Sequence, residues 1–348
     1  MKPAMESPSE RSTAISTGTG TAPSKPRDPS LDFAKGLLVE VMILFHSLQY
    51  FLGVRFVGLN YLAFVTGAFV FLAGSIVTEI YLTRFQTNPR SMLLRLIWRS
   101  VKLLVLFSSI NIAFRLFFIH SPQNGVRDLL LAAGEIFGAG SKRIVIFEML
   151  VPIAYTLAAA ALIAALARTG WLIGALSISA FVLLTIFASQ SFNAYFLGLG
   201  LLGVAYGLLR HYRGSGRAGY IITAVSAAGA AAYFISIALM PEDTPWIYAA
   251  GVVATVETFR SLRLYIALPK WLCFTMEEFG RYSLFAYIAQ IGFLRVLLAL
   301  IGADLGAVGY AVGPIIACNI FLLATMVAMS RLRSLSSSFD TFYRTIFG

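Results

Sequence analysis

Ten stretches of roughly twenty mostly apolar residues follow one another along the 348-residue chain, and no other feature constrains its fold as much. About twenty such residues form a helix long enough to cross the hydrocarbon core of a bilayer. The spacing predicts spans over 31–53, 59–82, 97–119, 144–167, 171–189, 193–210, 219–240, 246–267, 281–302 and 307–330. Only 12% of the residues are charged, about half the share in a soluble domain. The expected fold class is all-α, a polytopic integral membrane bundle of about ten transmembrane helices. Little chain remains for a soluble domain. Residues 1–28, rich in Ser, Thr and Pro with no apolar run, read as a disordered tail without a signal peptide. Residues 29–330 form the membrane domain and 331–348 a C-terminal tail. Segment 125–140 reads as a short interfacial helix, and 269–280, with Trp271, as another before the ninth span.

The distribution of positive charge sets the expected orientation. Twenty Lys and Arg residues fall on the side of the N-terminal tail, the even loops and the C-terminal tail, against four on the other side. By the positive-inside rule both termini are cytoplasmic. The net charge of +11 is thereby accounted for without nucleic acid. Cys273 and Cys318 lie far apart in or beside apolar segments and read as unpaired packing residues. No metal-ligand spacing is present, so no metal is expected. GLGLLG at 198–203 matches the dinucleotide-binding pattern, but it lies in an apolar span without a preceding strand. Gly203-xxx-Gly207 reads instead as a close helix–helix contact.

Ionisable groups inside a bilayer cost roughly 2.5–3.5 kcal/mol each on insertion scales, so each is a functional candidate. The first span carries Asp32, Lys35, Glu40 and His46. At 100° per residue, Lys35 and His46 share one stripe with about 16 Å of rise between them, and Asp32 lies on the same side. Glu40 points elsewhere. By spacing alone His46 is either a packed imidazole bonded to a neighbouring helix or a functional base. Lys35 likewise either snorkels to the headgroups or binds an anion. Arg115, Glu148 and Arg295 are further intramembrane charges. His120, at the outer end of the third span, and His211, in a basic loop, read as interface or loop residues.

The segment RDPSLDFAKGLLVEVMILFH at 27–46 resembles the opening of the acyltransferase family 3 membrane enzymes. Leu31-Asp32, Lys35 and His46 stand at that family's leucine–aspartate pair, basic residue and histidine. FVTGAFVFLAGSIVTEIYLTRF at 64–85 and GRYSLFAYIAQ at 280–290 resemble its second helix and a late segment. The second helix looks nearest the branch of periplasmic glucan succinyltransferases, with a more distant likeness to the lysosomal heparan glucosaminide acetyltransferases. Three positions depart from the pattern: Lys35 for arginine, Ala73 for serine and Gln290 for histidine. Lysine keeps the charge but lacks the bidentate fork of arginine.

The resemblance implies a membrane-bound O-acyltransferase, located in a bacterial cytoplasmic (inner) membrane. It would move an acetyl or succinyl group from cytoplasmic acyl-CoA to a hydroxyl of an extracytoplasmic or cell-surface carbohydrate. Acyl-CoA is the expected donor, and the carbohydrate acceptor and membrane lipids are the expected partners. His46 would be the general base, since a hydroxyl is a poor nucleophile near neutral pH. Lys35, Asp32, Arg95, Arg99 and Lys102 would hold coenzyme A at the cytoplasmic face. Glu148 would orient His46, contact the sugar or pair with an arginine. Two other classes stay open: a transporter or flippase of a lipid-linked or anionic substrate, and a non-catalytic family member acting as a membrane partner. The sequence is silent on oligomeric state.

Overall fold

The first helix starts where its sequence supplies a cap. Asp28 accepts hydrogen bonds from the Ser30 backbone N–H at 2.9 Å and from its hydroxyl at 2.7 Å. Pro29 opens the first turn, where its missing N–H costs nothing. A computed structural model of the chain describes residues 28–53, 56–82, 89–118, 133–140, 147–167, 169–187, 191–212, 217–239, 244–301 and 308–347. Helix α1 is Pro29–Leu52, α2 Gly58–Leu62 and α3 Phe64–Ile76, which widens into a π-helical turn over Val77–Leu82. Then come α4 Pro89–Phe118, a π-helical turn Glu135–Ala139, α5 Leu150–Leu166, α6 Gly170–Ile186 and α7 Phe192–Tyr212. They are followed by α8 Arg217–Leu239, α9 Pro245–Tyr265, α10 Lys270–Arg281, α11 Ser283–Ile301, α12 Val308–Leu335 and α13 Ser337–Phe347.

The fold is all-helical among the described residues, and each expected span contains helix. Among the described residues, five helical stretches are long and apolar enough to cross a membrane: Gly58–Leu82, Phe192–Arg210, Tyr220–Leu239, Ser283–Ile301 and Ala311–Leu335. Large apolar side chains cover the outside of the bundle, among them Trp171 at 74% exposure, Leu239 at 73% and Leu300 at 78%. A soluble monomer does not present so much apolar surface to water, so the chain has integral-membrane character.

Several boundaries differ from those expected. Helix α4 starts at Pro89 rather than at 97, which puts Arg95, Arg99 and Lys102 within it on neighbouring turns. Helix α5 starts at Leu150 rather than at 144. Phe147 ahead of it has a φ of 70°, a left-handed conformation that costs a non-glycine residue free energy. At the C-terminus, α12 continues to Leu335 and the residues after it form a further helix. Arg333 ties the two together, donating to Asp340 at 2.7 Å and lying 4.5 Å over the Tyr343 ring. Its two arginine partners hold the Asp340 carboxyl below the usual carboxylate range. The 1–27 stretch, segment 125–132, His120 and the Arg115 and His211 side chains lie outside the described residues.

Glycines set the closest helix contacts. A Cβ at Gly203 would fall 2.0 Å from the Phe71 carbonyl oxygen, and one at Gly207 2.0 Å from Thr78 Oγ1. Gly74 on α3 approaches α7 in the same way, its Cβ position 1.8 Å from the Gly200 oxygen. The GLGLLG segment is therefore a packing surface of α7 against α3. The amphipathic α10 lies along α1 through a second pair of glycines. A Cβ at Gly36 would meet the Met276 oxygen at 1.9 Å, and one at Gly280 the Asp32 oxygen at 1.7 Å. Both neighbours are backbone, so no rotamer change relieves the clash. Gly280→Ala is expected to destabilise the bundle by about 1–3 kcal/mol, read as an earlier melt of the detergent-solubilised protein. An unchanged melt would contradict this contact.

Candidate functional site

Helices α1, α3, α4, α5 and α11 enclose a cavity of about 140 Å³. Lys35 and Arg99 line it toward the α10 end of the bundle, together with Tyr81. Tyr81 is placed by the π-helical turn, and its phenol oxygen accepts a hydrogen bond from Arg99 at 2.8 Å. Lys35 lies 3.4 Å from Asp32, one turn earlier on α1. Beyond these cations the wall is mostly apolar, formed by Met42, Phe69, Leu72, Ala73, Ile76 and Leu103 among others, with Ser283 of α11 also on it. Met149 and Tyr287 also line the cavity. Along α1 the cavity runs from Lys35 to Met42, about 10 Å.

Of the five expected donor-binding residues, Lys35 and Arg99 reach this wall and three do not. Asp32 is buried and acts through Lys35. Arg95 is exposed and Lys102 half-buried, each about one turn of α4 from Arg99. Ala73, where the family resemblance expects serine, is on the wall. Gln290, in place of the expected histidine, is fully buried, and neither end of its amide has a hydrogen-bond partner among the described residues.

His46 does not line the cavity. It follows Met42 by one turn on the same face of α1, half-buried. Its Nδ1 is 3.4 Å from Gln49 Oε1, and its ring stacks on Tyr50 at 6.0 Å and meets Phe45 edge-on at 5.3 Å. The Arg295 guanidinium lies 4.7 Å over the Tyr50 ring and within electrostatic reach of His46. Glu148 is half-buried in the turn before α5 and, like Tyr50, is within electrostatic reach of Tyr287. Arg295 is the intramembrane charge that meets His46 through the Tyr50 ring. Glu40 is off the cavity, on the side of α1 near Asn319 of α12. Both cysteines are free thiols.

A second polar group sits where α1, the π-helical turn, α7 and α9 meet. Arg260 is fully buried and donates to Glu79 at 2.6 and 2.7 Å and to Asp28 at 2.9 Å. Ser75 donates to the same Glu79 carboxylate at 2.5 Å. One turn earlier on α9, Glu257 accepts from Arg210 at 3.0 and 2.8 Å and from Tyr206. Burial opposes the charge on Asp28, but Ser30 and Arg260 outweigh it and leave that carboxyl below its usual range. Nothing in this network lines the cavity, and its arrangement is that of a structural clamp. Sequence reasoning missed its role. The crowding of Glu257, Arg260 and Arg263 at the end of an apolar span was the available signal, whereas the partner Glu79 stands alone in its own span.

Comparison of the chain with protein-family models, with curated proteins and with solved structures finds no match. The site is therefore read from its own residues.

Proposed function

We propose that the chain is a membrane O-acyltransferase of the acyltransferase family 3 type with about ten spans, in a bacterial inner membrane with both termini in the cytoplasm. It takes an acyl group from cytoplasmic acyl-CoA and passes it to a hydroxyl of an extracytoplasmic carbohydrate. One observation carries the reading: a cavity with a cationic pair at one end and apolar walls ends one helical turn short of His46 on the same stripe of α1. The Lys35 ammonium and Arg99 guanidinium suit the phosphates of coenzyme A. The apolar channel suits the thioester arm, whose reach matches the roughly 16 Å of helix rise between Lys35 and His46.

The chemistry follows from these positions. The sugar hydroxyl attacks the thioester carbon while His46 takes its proton. The carbon–sulfur bond of the tetrahedral intermediate then breaks, and the imidazolium returns the proton to the departing thiolate. Coenzyme A leaves as the free thiol, and the sugar leaves as its ester. Arg95 and Lys102, outside the cavity, add positive potential near its mouth.

The test is donor binding by the purified protein. Lys35→Gln combined with Arg99→Gln is expected to weaken acyl-CoA binding at least about tenfold, equivalent to 1.4 kcal/mol. An acyl-CoA affinity unchanged in that double variant would remove the cavity as the donor site. A wild-type protein that binds no acyl-CoA would remove the enzyme reading and favour a transporter.

A further inference from the structure

We infer that Tyr287 is a catalytic residue of this reaction, the hydrogen-bond donor that stabilises the oxyanion formed on the thioester carbonyl. The inference rests on the acyltransferase reading above and assigns a role within it that His46 cannot fill. A base that removes the alcohol proton does nothing for the negative charge that develops on the carbonyl oxygen. In an apolar cavity that charge needs a preorganised donor.

Tyr287 lines the cavity together with Met149 and with Met42, the residue one turn before His46 on α1. It is only 6% exposed. The Met149 backbone lies close to its phenol oxygen. A phenol has one proton to donate, and no side chain or carbonyl among the described residues takes it. Met42, Leu72, Met149 and Leu150 on the wall offer no side-chain donor, and Ser283, one turn earlier on α11, is a second hydroxyl there. A carbonyl entering beside Met42 meets the Tyr287 hydroxyl in the proposed arrangement.

The ring is held from behind. Phe147 packs edge-on against it, with centroids 5.3 Å apart and planes at 87°. Phe147 does so at a φ of 70° and with only 6% of its surface exposed. A strained backbone that positions a buried aromatic against a reactive-site side chain is a preorganising device. In the proposed step the hydroxyl oxygen of the sugar bonds to the thioester carbon and its proton passes to His46. The carbonyl oxygen becomes negative and accepts the Tyr287 hydrogen bond. Collapse then restores the carbonyl and expels the thiolate, which takes the proton from His46. Tyr287 keeps its own proton throughout.

Tyr287→Phe tests this, since it deletes one oxygen and keeps the ring against Phe147. Removing one oxyanion donor elsewhere costs about 10²–10³-fold in turnover. The expected result is a kcat loss of that order with KM for acyl-CoA within about threefold of wild type. Slow acyl-CoA hydrolysis, with water as acceptor, is expected to fall in parallel. If wild type transfers acyl groups and Tyr287→Phe retains kcat within about twofold, this assignment is wrong and the acyltransferase reading stands. If the variant loses acyl-CoA binding instead of turnover, Tyr287 is a binding or packing residue and the assignment is again wrong. If wild type transfers nothing, both fall together.

Discussion

His46→Ala is expected to lower acyl transfer by about 10²–10⁴-fold, the contribution of a positioned general base. The protein should insert and fold normally. The imidazole makes one long contact, 3.4 Å to Gln49, and otherwise packs against Phe45 and Tyr50. Replacing it removes little burial and exposes no uncompensated charge. His46→Gln is the stricter variant, because it retains a polar side chain but cannot accept and return a proton near neutral pH. Turnover is measured with acyl-CoA and the acceptor glycan on protein shown to be monodisperse in detergent. Acyl-CoA affinity should change little, because Lys35 and Arg99, not His46, line the cavity. Full glycan modification by either variant would end the mechanism, even if the protein proved to bind acyl-CoA.

The second large effect concerns stability. Arg260→Met removes the guanidinium that joins α9 to Glu79 and to the cap of α1, and leaves the Glu79 carboxylate facing a hydrocarbon side chain. Breaking a buried ion pair from one side costs about 3–5 kcal/mol, comparable with the entire margin of many domains. The expected readout is loss of most monodisperse protein on detergent extraction. Adding Glu79→Gln should recover part of it, since the stranded charge is then gone. Asp28 is a weaker anchor because its side chain is 40% exposed and water can replace the arginine. An Arg260→Met protein that extracts and melts like wild type would show that the clamp is dispensable.

Membrane character and helix positions were legible in the sequence because they depend on local composition. A run of about twenty apolar residues has few alternatives to a spanning helix, whereas the Asp28 cap of α1 fell in the stretch read as a disordered tail. The stripe of Asp32, Lys35 and His46 was legible for a similar reason, since helical periodicity alone aligns them. Glu148 could be named as a candidate because charge is scarce in these segments, and Arg99 because the resemblance implies cations at the cytoplasmic face. Their partners could not be named. Tyr81 reaches Arg99 through a π-helical turn that no sequence pattern announced, and Glu79 meets Arg260 across 181 positions of chain. The start of α4 at Pro89 and of α5 at Leu150 was also hidden, because polar residues at the margin of an apolar run leave its limits ambiguous.

By itself, the sequence determined that this chain forms a bundle of apolar helices with a charged stripe on the first, because hydrophobicity and helical period act within a single segment. Only the tertiary structure decided which of those charges share a cavity. It placed Lys35, Arg99 and Tyr287 on one cavity and left Arg95, Lys102 and His46 off it. Such selection depends on how closely helices approach and at what rotation. Here that is fixed by small contact points such as Gly36, Gly280, Gly74 and Gly203, where backbone meets backbone.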